Sequence, residues 1–157
     1  MEAVDLAAQV HAELLRRGLT IGVAESLTGG DLCGALTAAP GASATVLGGV
    51  VSYATPVKQQ VLGVPEAVVE SHGVVSAECA EAMAAGARRL LGADWALATT
   101  GVAGPDSQEG KPVGTVFVGI AGPSSVRSLS LLLSGDRREI REQTCAEALK
   151  GLLRELD

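Results

Sequence analysis

One short stretch constrains the fold of this chain more than any other. An apolar run over 19–24, rich in β-branched residues, leads into Glu25-Ser26-Leu27-Thr28-Gly29-Gly30, and a helical pattern of small residues starts near Gly29. This order predicts a strand, a turn and a helix, and such a unit belongs to an α/β layer fold. We therefore expect a three-layer α/β/α sandwich with a mixed sheet of about five strands.

Ser26 occupies the predicted turn. Such a turn aims a hydroxyl at solvent beside free backbone N–H groups, and the helix dipole favours negative charge that develops there. Because serine and threonine are preferred helix caps, Ser26 or Thr28 can also serve only as a cap. The stretch alone leaves both interpretations open.

Composition limits the class of protein. A chain of 157 residues suffices for one domain, expected over 1–157, and single Trp, Tyr and Phe residues predict an aliphatic, Ala-rich core. The net charge of −6 argues against a nucleic-acid surface, which needs a clustered basic face. No leader opens the sequence and no apolar run approaches the ~20 residues that span a bilayer. We expect a cytoplasmic protein without membrane contact.

The cysteines and histidines do not form a recognisable metal or redox motif. Cys33, Cys79 and Cys145 lie in apparent helices without C-x-x-C spacing, which is typical of reduced thiols. His11 and His72 have no acidic or thiol partner at ligand spacing, so we expect no metal. Serine–histidine catalysis would require His72 to fold back onto a serine, and a turn or surface position is the simpler expectation.

Hydrophobic periodicity and turn residues predict the other elements. Helices are expected over 4–17, 29–38, 77–91 and 137–155, strands over 46–53, 93–100, 113–121 and 126–133, and a mobile polar loop over 106–112. Pro56 can open a short helix that carries Lys58. If the strand ends meet at one edge of the sheet, Lys58 can face Ser26; otherwise it is a solvated surface ammonium.

Two further segments suit anion binding. Thr100-Gly101-Val102-Ala103-Gly104 joins a hydroxyl to glycines, and its backbone N–H groups could hold a phosphate or carboxylate. Arg137 or Arg138 lies in the opening turn of the last helix, where a cation opposes the dipole. Anion binding would explain this arginine, and so would an ion pair with Asp136.

Seven motifs in one order resemble the CinA C-terminal domain family, the nicotinamide mononucleotide (NMN) amidohydrolases, in a stand-alone form. They cover nearly the whole chain: AESLTGG at 24–30, LGGVVSY at 47–53 followed by Lys58, LGVP at 62–65, HGVVS at 72–76, TGVAGP at 100–105, KPVGTVFV at 111–118 and SGDR at 134–137. Two departures occur: Leu27 stands where a cysteine is frequent, and 54–57 replaces a more polar run. The second puts in question any contact that the missing polar residues would have made.

The resemblance implies hydrolysis of the NMN carboxamide to nicotinate mononucleotide and ammonia, in pyridine nucleotide recycling, without a cofactor and in a homodimer. It implies that Ser26 is the nucleophile, Lys58 the general base, and Tyr53 and Arg137 assisting groups. The expected substrate-binding residues are Glu25, Thr28, Gly29, Gly30, Thr100, Gly101, Gly104 and Arg137. Of these, Glu25 would balance the positive charge of the ring, while Thr100, Gly101 and Arg137 would bind the phosphate.

The chemistry sets a condition on this assignment. Amide hydrolysis needs a nucleophile, a proton acceptor and donors for the oxyanion, expected here among the backbone N–H groups of 27–30. Lys58 can accept a proton only if burial or a nearby cation, such as Arg137, lowers its pKa. The alternatives are an inactive nucleotide-binding or protein-interaction module linked to competence or DNA damage, and a serine esterase of relaxed specificity.

Overall fold

The structure, a computed structural model, describes residues 2–157 and confirms an α/β architecture around a five-stranded mixed sheet. The helices are α1 Ala3–Arg17, α2 Asp31–Thr37, α3 Thr55–Gln60, α4 Glu66–His72, α5 Ala77–Leu91 and α6 Arg137–Leu156, with a 3₁₀ turn at Ala42–Ala44. The strands are β1 Ile21–Glu25, β2 Val46–Val51, β3 Trp95–Gly101, β4 Thr115–Ala121 and β5 Val126–Leu132. Within 2–157, no helix combines the length and apolarity that crossing a membrane requires.

The sheet order is β2-β1-β3-β4-β5, with β2, β1 and β3 parallel and β4 and β5 antiparallel additions. Helices α1, α2 and α6 pack together on one face, and α5 covers the other. This is the expected three-layer arrangement. It places the carboxyl ends of the three parallel strands at one edge.

The two faces of the sheet differ in side-chain size. Because side chains alternate along a strand, Ile21, Val23 and Leu97 enter the core with α1, α2 and α6. On the other face, Ala24 and Ala98 belong to the core around α5. The small residues let α5 approach the sheet closely.

Two glycines show how close this approach is. A Cβ added at Gly119 of β4 would lie 2.1 Å from the Ala80 carbonyl oxygen of α5. A Cβ at Gly86 of α5 would lie 1.9 Å from the Leu62 carbonyl oxygen, just after α3. Any larger residue would push these segments apart. Helix α5 therefore lies directly against the segment that follows α3.

Several boundaries differ from the predicted ones for local reasons. Helix α2 begins at Asp31 rather than near 29, because Gly29 and Gly30 have φ values of 59° and 106°, outside the right-handed helical region. Strand β2 ends at Val51 rather than 53, where the chain turns toward α3. The segment 66–72 forms α4, a helix that the sequence pattern did not define.

The thiols are free and mostly enclosed. Cys79 and Cys145 are buried, and burial raises their pKa values to about 11 and about 12. Cys33 is half-buried, and burial also raises its pKa. At neutral pH all three are therefore protonated and weakly nucleophilic.

Candidate active site

The carboxyl ends of the parallel strands meet around one cavity. Ser26 follows β1, Tyr53 follows β2, and Gly101 ends β3, so all three reach the same edge of the sheet. Apolar, hydroxyl and charged groups share the lining. The lining residues are Ser26, Leu27, Tyr53, Thr55, Lys58, Val74, Val75, Thr100, Gly101, Val102, Ala103, Gly104, Asp106, Gln108 and Arg137.

Lys58 is buried against Ser26. Lys58 is only 1% exposed to solvent, and its Nζ lies 3.0 Å from the Oγ of Ser26. The same amine donates hydrogen bonds to the carbonyl oxygens of Ser52, at 2.7 Å, and Tyr53, at 3.0 Å. The interpretation of Lys58 as a solvated surface ammonium is therefore wrong.

This environment favours the neutral amine. Burial lowers the pKa of Lys58, while the negative charge of Glu109 acts in the opposite direction, as Cys79 does once it is ionised. The leading cause is therefore burial, rather than a neighbouring arginine. A neutral amine has two N–H donors and one lone pair. With both donors on carbonyl oxygens, the lone pair is left for the proton of the Ser26 hydroxyl.

The turn after Ser26 leaves backbone donors free. The N–H groups of Gly29 and Gly30 donate to protein acceptors at 3.1 and 3.2 Å. Among residues 2–157, the N–H groups of Leu27 and Thr28 have no protein acceptor. Leu27 lines the cavity next to Ser26. The expected set of oxyanion donors thus narrows to these two groups, with Leu27 the better placed.

Glu25 has a different position from the one expected. It is fully buried, and its carboxylate accepts hydrogen bonds from the Thr28 hydroxyl at 2.6 Å and from the N–H groups of Leu32 and Cys33 at 2.8 and 2.9 Å. Glu25 therefore satisfies donors at the start of α2 and does not line the cavity. In this structure Glu25 therefore presents no exposed oxygen to a cationic ring, and the expected contact stays a prediction.

Thr28, Gly29 and Gly30 likewise lie outside the cavity lining. The Thr28 hydroxyl donates to Glu25 and lies 2.8 Å from the Thr99 hydroxyl, so it belongs to a buried network. Gly29 and Gly30 supply the left-handed turn that joins β1 to α2. What the structure shows of their contribution is the shape of the turn, and their expected contact with a ligand stays a prediction.

Arg137 brings its positive charge to the cavity. Its guanidinium donates to the Gly104 carbonyl oxygen at 2.6 Å and to the Tyr53 hydroxyl at 3.0 Å. Asp136 instead accepts the N–H of Glu139 and caps α6. In the described part of the chain, Arg137 forms no ion pair. The alternative of an Asp136 ion pair is thus excluded, and an unneutralised guanidinium remains.

The loop after β3 forms another wall. Thr100, Gly101 and Gly104 all line the cavity, but the Thr100 hydroxyl donates to the Val74 carbonyl oxygen at 2.6 Å. The hydroxyl proton of Thr100 is therefore already used in a hydrogen bond to segment 73–75. What this loop offers a ligand is chiefly its backbone.

Sequence reasoning missed three polar residues of the cavity wall, one of which, Thr55, opens α3. The other two, Asp106 and Gln108, also line the cavity, and Asp106 is the one carboxylate residue in this lining. Both lie in the 106–112 loop, where a run of polar residues is typical of a solvated connection. Only the TGVAGP motif just before them indicated that this loop starts at the site.

His72 is not part of this arrangement. Its Nδ1 lies 3.6 Å from the Glu78 carboxylate, on a half-exposed surface outside the cavity lining. His11 is buried, with Nδ1 2.7 Å from the Thr45 hydroxyl. A serine–histidine pair at Ser26 is therefore absent from residues 2–157.

The sequence has curated relatives in several bacteria. It is 54% identical over 136 residues to a CinA-like protein of Frankia casuarinae, covering 87% of this chain and 31% of that protein. It is 46% identical over 156 residues to a CinA-like protein of Parasynechococcus marenigrum, covering 97% and 37%. The chain thus spans about a third of the length of the curated relatives it matches.

Solved structures share the whole fold. The competence damage-inducible protein A (ComA) of Klebsiella pneumoniae superposes with a TM-score of 0.96 at 33% identity, covering 99% of this chain and 98% of that one. The competence/damage inducible protein CihA of Agrobacterium tumefaciens gives 0.94 at 35% identity, covering 98% and 95%. Residues 3–156 match the CinA C-terminal domain. Because this match covers nearly the whole chain, and the relatives and structures agree with it, the chain belongs to the CinA C-terminal domain family.

Proposed function

We propose that this chain hydrolyses the carboxamide of NMN to nicotinate mononucleotide and ammonia, with Ser26 as nucleophile and Lys58 as general base. The observation that carries this proposal is the 3.0 Å contact between a buried lysine amine and a serine hydroxyl at the edge of a cavity. A deprotonated lysine is a competent base for a serine nucleophile. Membership of the CinA C-terminal domain family supports the proposal.

The proposed reaction has two halves. The neutral Lys58 amine takes the proton of Ser26, and Oγ attacks the carboxamide carbon, so that the carbonyl oxygen becomes an oxyanion beside the Leu27 N–H. The Lys58 ammonium then protonates the leaving nitrogen, which departs as ammonia and leaves an ester on Ser26. Lys58 next activates a water that cleaves this ester, giving the carboxylate product and regenerating both residues.

The charges around the cavity fit the two ends of NMN. The guanidinium of Arg137, which no carboxylate of residues 2–157 neutralises, suits the phosphate, which an arginine recognises through paired hydrogen bonds. Since Glu25 is turned away, Asp106 is the carboxylate residue available to face the cationic pyridinium ring. We therefore assign the contact with the pyridinium ring to Asp106 instead of Glu25.

The direct test is ammonia release from NMN by the wild type beside Ser26→Ala and Lys58→Met. We expect activity in the wild type and a loss of several orders of magnitude in both variants, with folding checked by circular dichroism. Ser124→Ala, in the exposed turn before β5, and Lys150→Ala, in α6, are matched controls that should keep full activity. Ser26→Ala with most of the activity would contradict the assignment.

The same assay separates the alternatives. A wild type that binds NMN without releasing ammonia would be a nucleotide-binding or interaction module. A wild type that prefers simple esters would be an esterase. Either result would overturn the proposed function.

We further propose that the enzyme acts in the cytoplasm, in pyridine nucleotide recycling, as a homodimer. Strand β2 is an edge strand without charged residues, and its Leu47 and Val51 are 46% and 50% exposed. An uncharged apolar edge is a ready surface for pairing. Light scattering at micromolar concentration should give twice the mass of the chain, and Val51→Lys should lower it; a monomer at all concentrations would contradict the dimer.

A further inference from the structure

The carboxylate of Glu109 attaches the 106–112 loop to segment 73–75, which leads into α5. Glu109 accepts hydrogen bonds from the backbone N–H groups of Val74 at 3.0 Å and Val75 at 2.9 Å. Its own φ of 54° is the one left-handed value at a non-glycine residue among 2–157. Such a conformation persists only where surrounding contacts hold it. The backbone hydrogen bonds between Gln108 and Lys111, at 3.2 and 2.8 Å, close the turn around Glu109, and the two hydrogen bonds of its carboxylate attach that turn to Val74 and Val75.

Other groups contribute to the same junction between the 106–112 loop and segment 73–75. Lys111 donates to the Val75 carbonyl oxygen and lies 5.8 Å from the centre of the Phe117 ring. A Cβ added at Gly73 would lie only 2.6 Å from the Glu109 carboxylate, so the glycine makes room for that side chain. The loop is thus fitted to segment 73–75, contrary to the expectation of a freely moving connection.

The junction forms one wall of the cavity. Val74 and Val75 line the cavity on one side of the contact, and Asp106 and Gln108 line it on the other. Lys58 and Ser26, in contrast, are held by α3 and by the end of β1. Releasing Glu109 would therefore loosen this wall, which Lys111 and Thr100 still hold in part, while leaving the reacting pair in place.

We propose that Glu109 is a positioning residue, whose carboxylate fixes the 106–112 loop on segment 73–75 and so shapes the wall that receives the nucleotide. The proposal rests on the proposed function for the identity of that nucleotide. It assigns Glu109 to substrate binding, and it assigns no contact between Glu109 and the reacting atoms.

Glu109→Ala and Glu109→Gln test this role, with Glu70→Gln as the matched control. Glu70 is an exposed carboxylate of α4 without a hydrogen bond or ion pair in the described chain. Hydrogen bonds to a charged group are each worth roughly tenfold or more in an equilibrium. We expect Glu109→Ala to speed amide exchange at Val74 and Val75 by about tenfold and to raise KM for NMN by about tenfold. Because the Glu109 carboxylate also raises the pKa of Lys58, kcat is compared on the alkaline plateau of each pH profile, where Lys58 is neutral, and should there agree within about twofold.

Glu109→Gln keeps one acceptor oxygen and should give a smaller change in the same direction, while Glu70→Gln should behave as wild type. Unchanged exchange at Val74 and Val75, or faster exchange with unchanged KM, would overturn the proposal. So would a loss confined to kcat. Amide exchange is measured without substrate, so a wild type that releases no ammonia would refute the proposed function while the exchange result still decides whether Glu109 holds the loop.

Discussion

The amine of Lys58 lies 3.0 Å from the hydroxyl of Ser26, although the two residues are 32 positions apart in the sequence. Parallel pairing of β1 with β2 brings the carboxyl ends of the two strands together. Helix α3, which follows β2, then returns Lys58 to the end of β1. Helix α5 encloses this region, because Gly86 lets it pass against the Leu62 carbonyl. The reacting pair is thus a consequence of sheet topology and close helix packing.

The first prediction concerns the pH dependence of activity. Burial places the pKa of Lys58 below its ordinary value of 10.5, and only the neutral amine can act as the base. The value of kcat/KM for NMN should therefore rise with pH through that lowered pKa, about tenfold per pH unit below it, and level off above it. Lys58→Arg should be inactive throughout, since a guanidinium stays protonated.

A pH profile of ammonia release, with circular dichroism at each pH, checks this. The free energy of unfolding should also rise with pH between the lowered pKa and 10.5, because the unfolded chain binds more protons there. Lys58→Met should lack this part of the pH dependence. Activity that falls with rising pH in this window would contradict a lysine base.

Much of the fold could be predicted because it depends on local patterns. Helix α5 has the predicted bounds 77–91, with Ser76 as its cap, since apolar spacing and capping residues are read directly from sequence. The strand, turn and helix around Ser26 also follow from such signals. Where local conformation differs from the pattern, as at Gly29 and Gly30, the boundary moved by about two residues.

The site was less predictable, because it depends on where side chains point in three dimensions. A carboxylate at position 25 suggested charge in the cavity, yet the N–H groups of α2 enclose it. In the opposite case, Glu109 looked like part of a solvated loop and instead binds Val74 and Val75. The sequence shows the charge of each residue but not the backbone donors that fold around it.

The second prediction concerns Arg137 and the phosphate. Lysine in its place would keep the charge but lose the planar pair of donors that now reach Gly104 and Tyr53. Arg137→Lys should raise KM for NMN by about tenfold, as expected for a lost charged hydrogen bond. It should hardly change kcat/KM for nicotinamide riboside, which lacks the phosphate.

Arg138→Lys is the matched control. Arg138 is adjacent, exposed and paired with Glu142 at 3.0 Å, so its replacement should leave both substrates unaffected. Steady-state kinetics with the two substrates provides the comparison. An equal loss of kcat/KM for NMN and for the riboside in Arg137→Lys would show that Arg137 does not recognise the phosphate.

The third prediction concerns Asp106 and the cationic ring. Asp106→Asn, made in a Ser26→Ala background, should weaken NMN binding by about three- to tenfold at low salt and by less at 1 M salt, as for an exposed charge pair. Binding of benzamide riboside 5′-phosphate, whose ring is neutral, should not change. Calorimetry with both ligands measures the difference.

Asp5→Asn, on the exposed face of α1, removes an equal charge far along the chain from the site and serves as the control. It should bind both ligands as the parent does. If Asp106→Asn weakened both ligands equally, Asp106 would support the shape of the loop rather than recognise the ring charge.

The fourth prediction concerns Glu25, which we assign to the stability of the β1–α2 turn. Its carboxylate accepts hydrogen bonds from the Thr28 hydroxyl and from the N–H groups of Gly30, Leu32 and Cys33. Glutamine has the same shape, but its NH₂ group would face buried donors. Glu25→Gln should therefore lower the free energy of unfolding by about 2–4 kcal/mol, measured by urea denaturation.

Glu78→Gln provides the comparison, since Glu78 also lies in the first turn of a helix but is half-exposed. It should change the free energy of unfolding by about 0.5 kcal/mol or less. The folded fraction of Glu25→Gln should bind NMN with nearly the affinity of wild type, because the carboxylate does not reach the cavity. A variant of unchanged stability that loses NMN affinity would instead place Glu25 against the ring, because a carboxylate that supported only the turn could not be replaced without loss of stability.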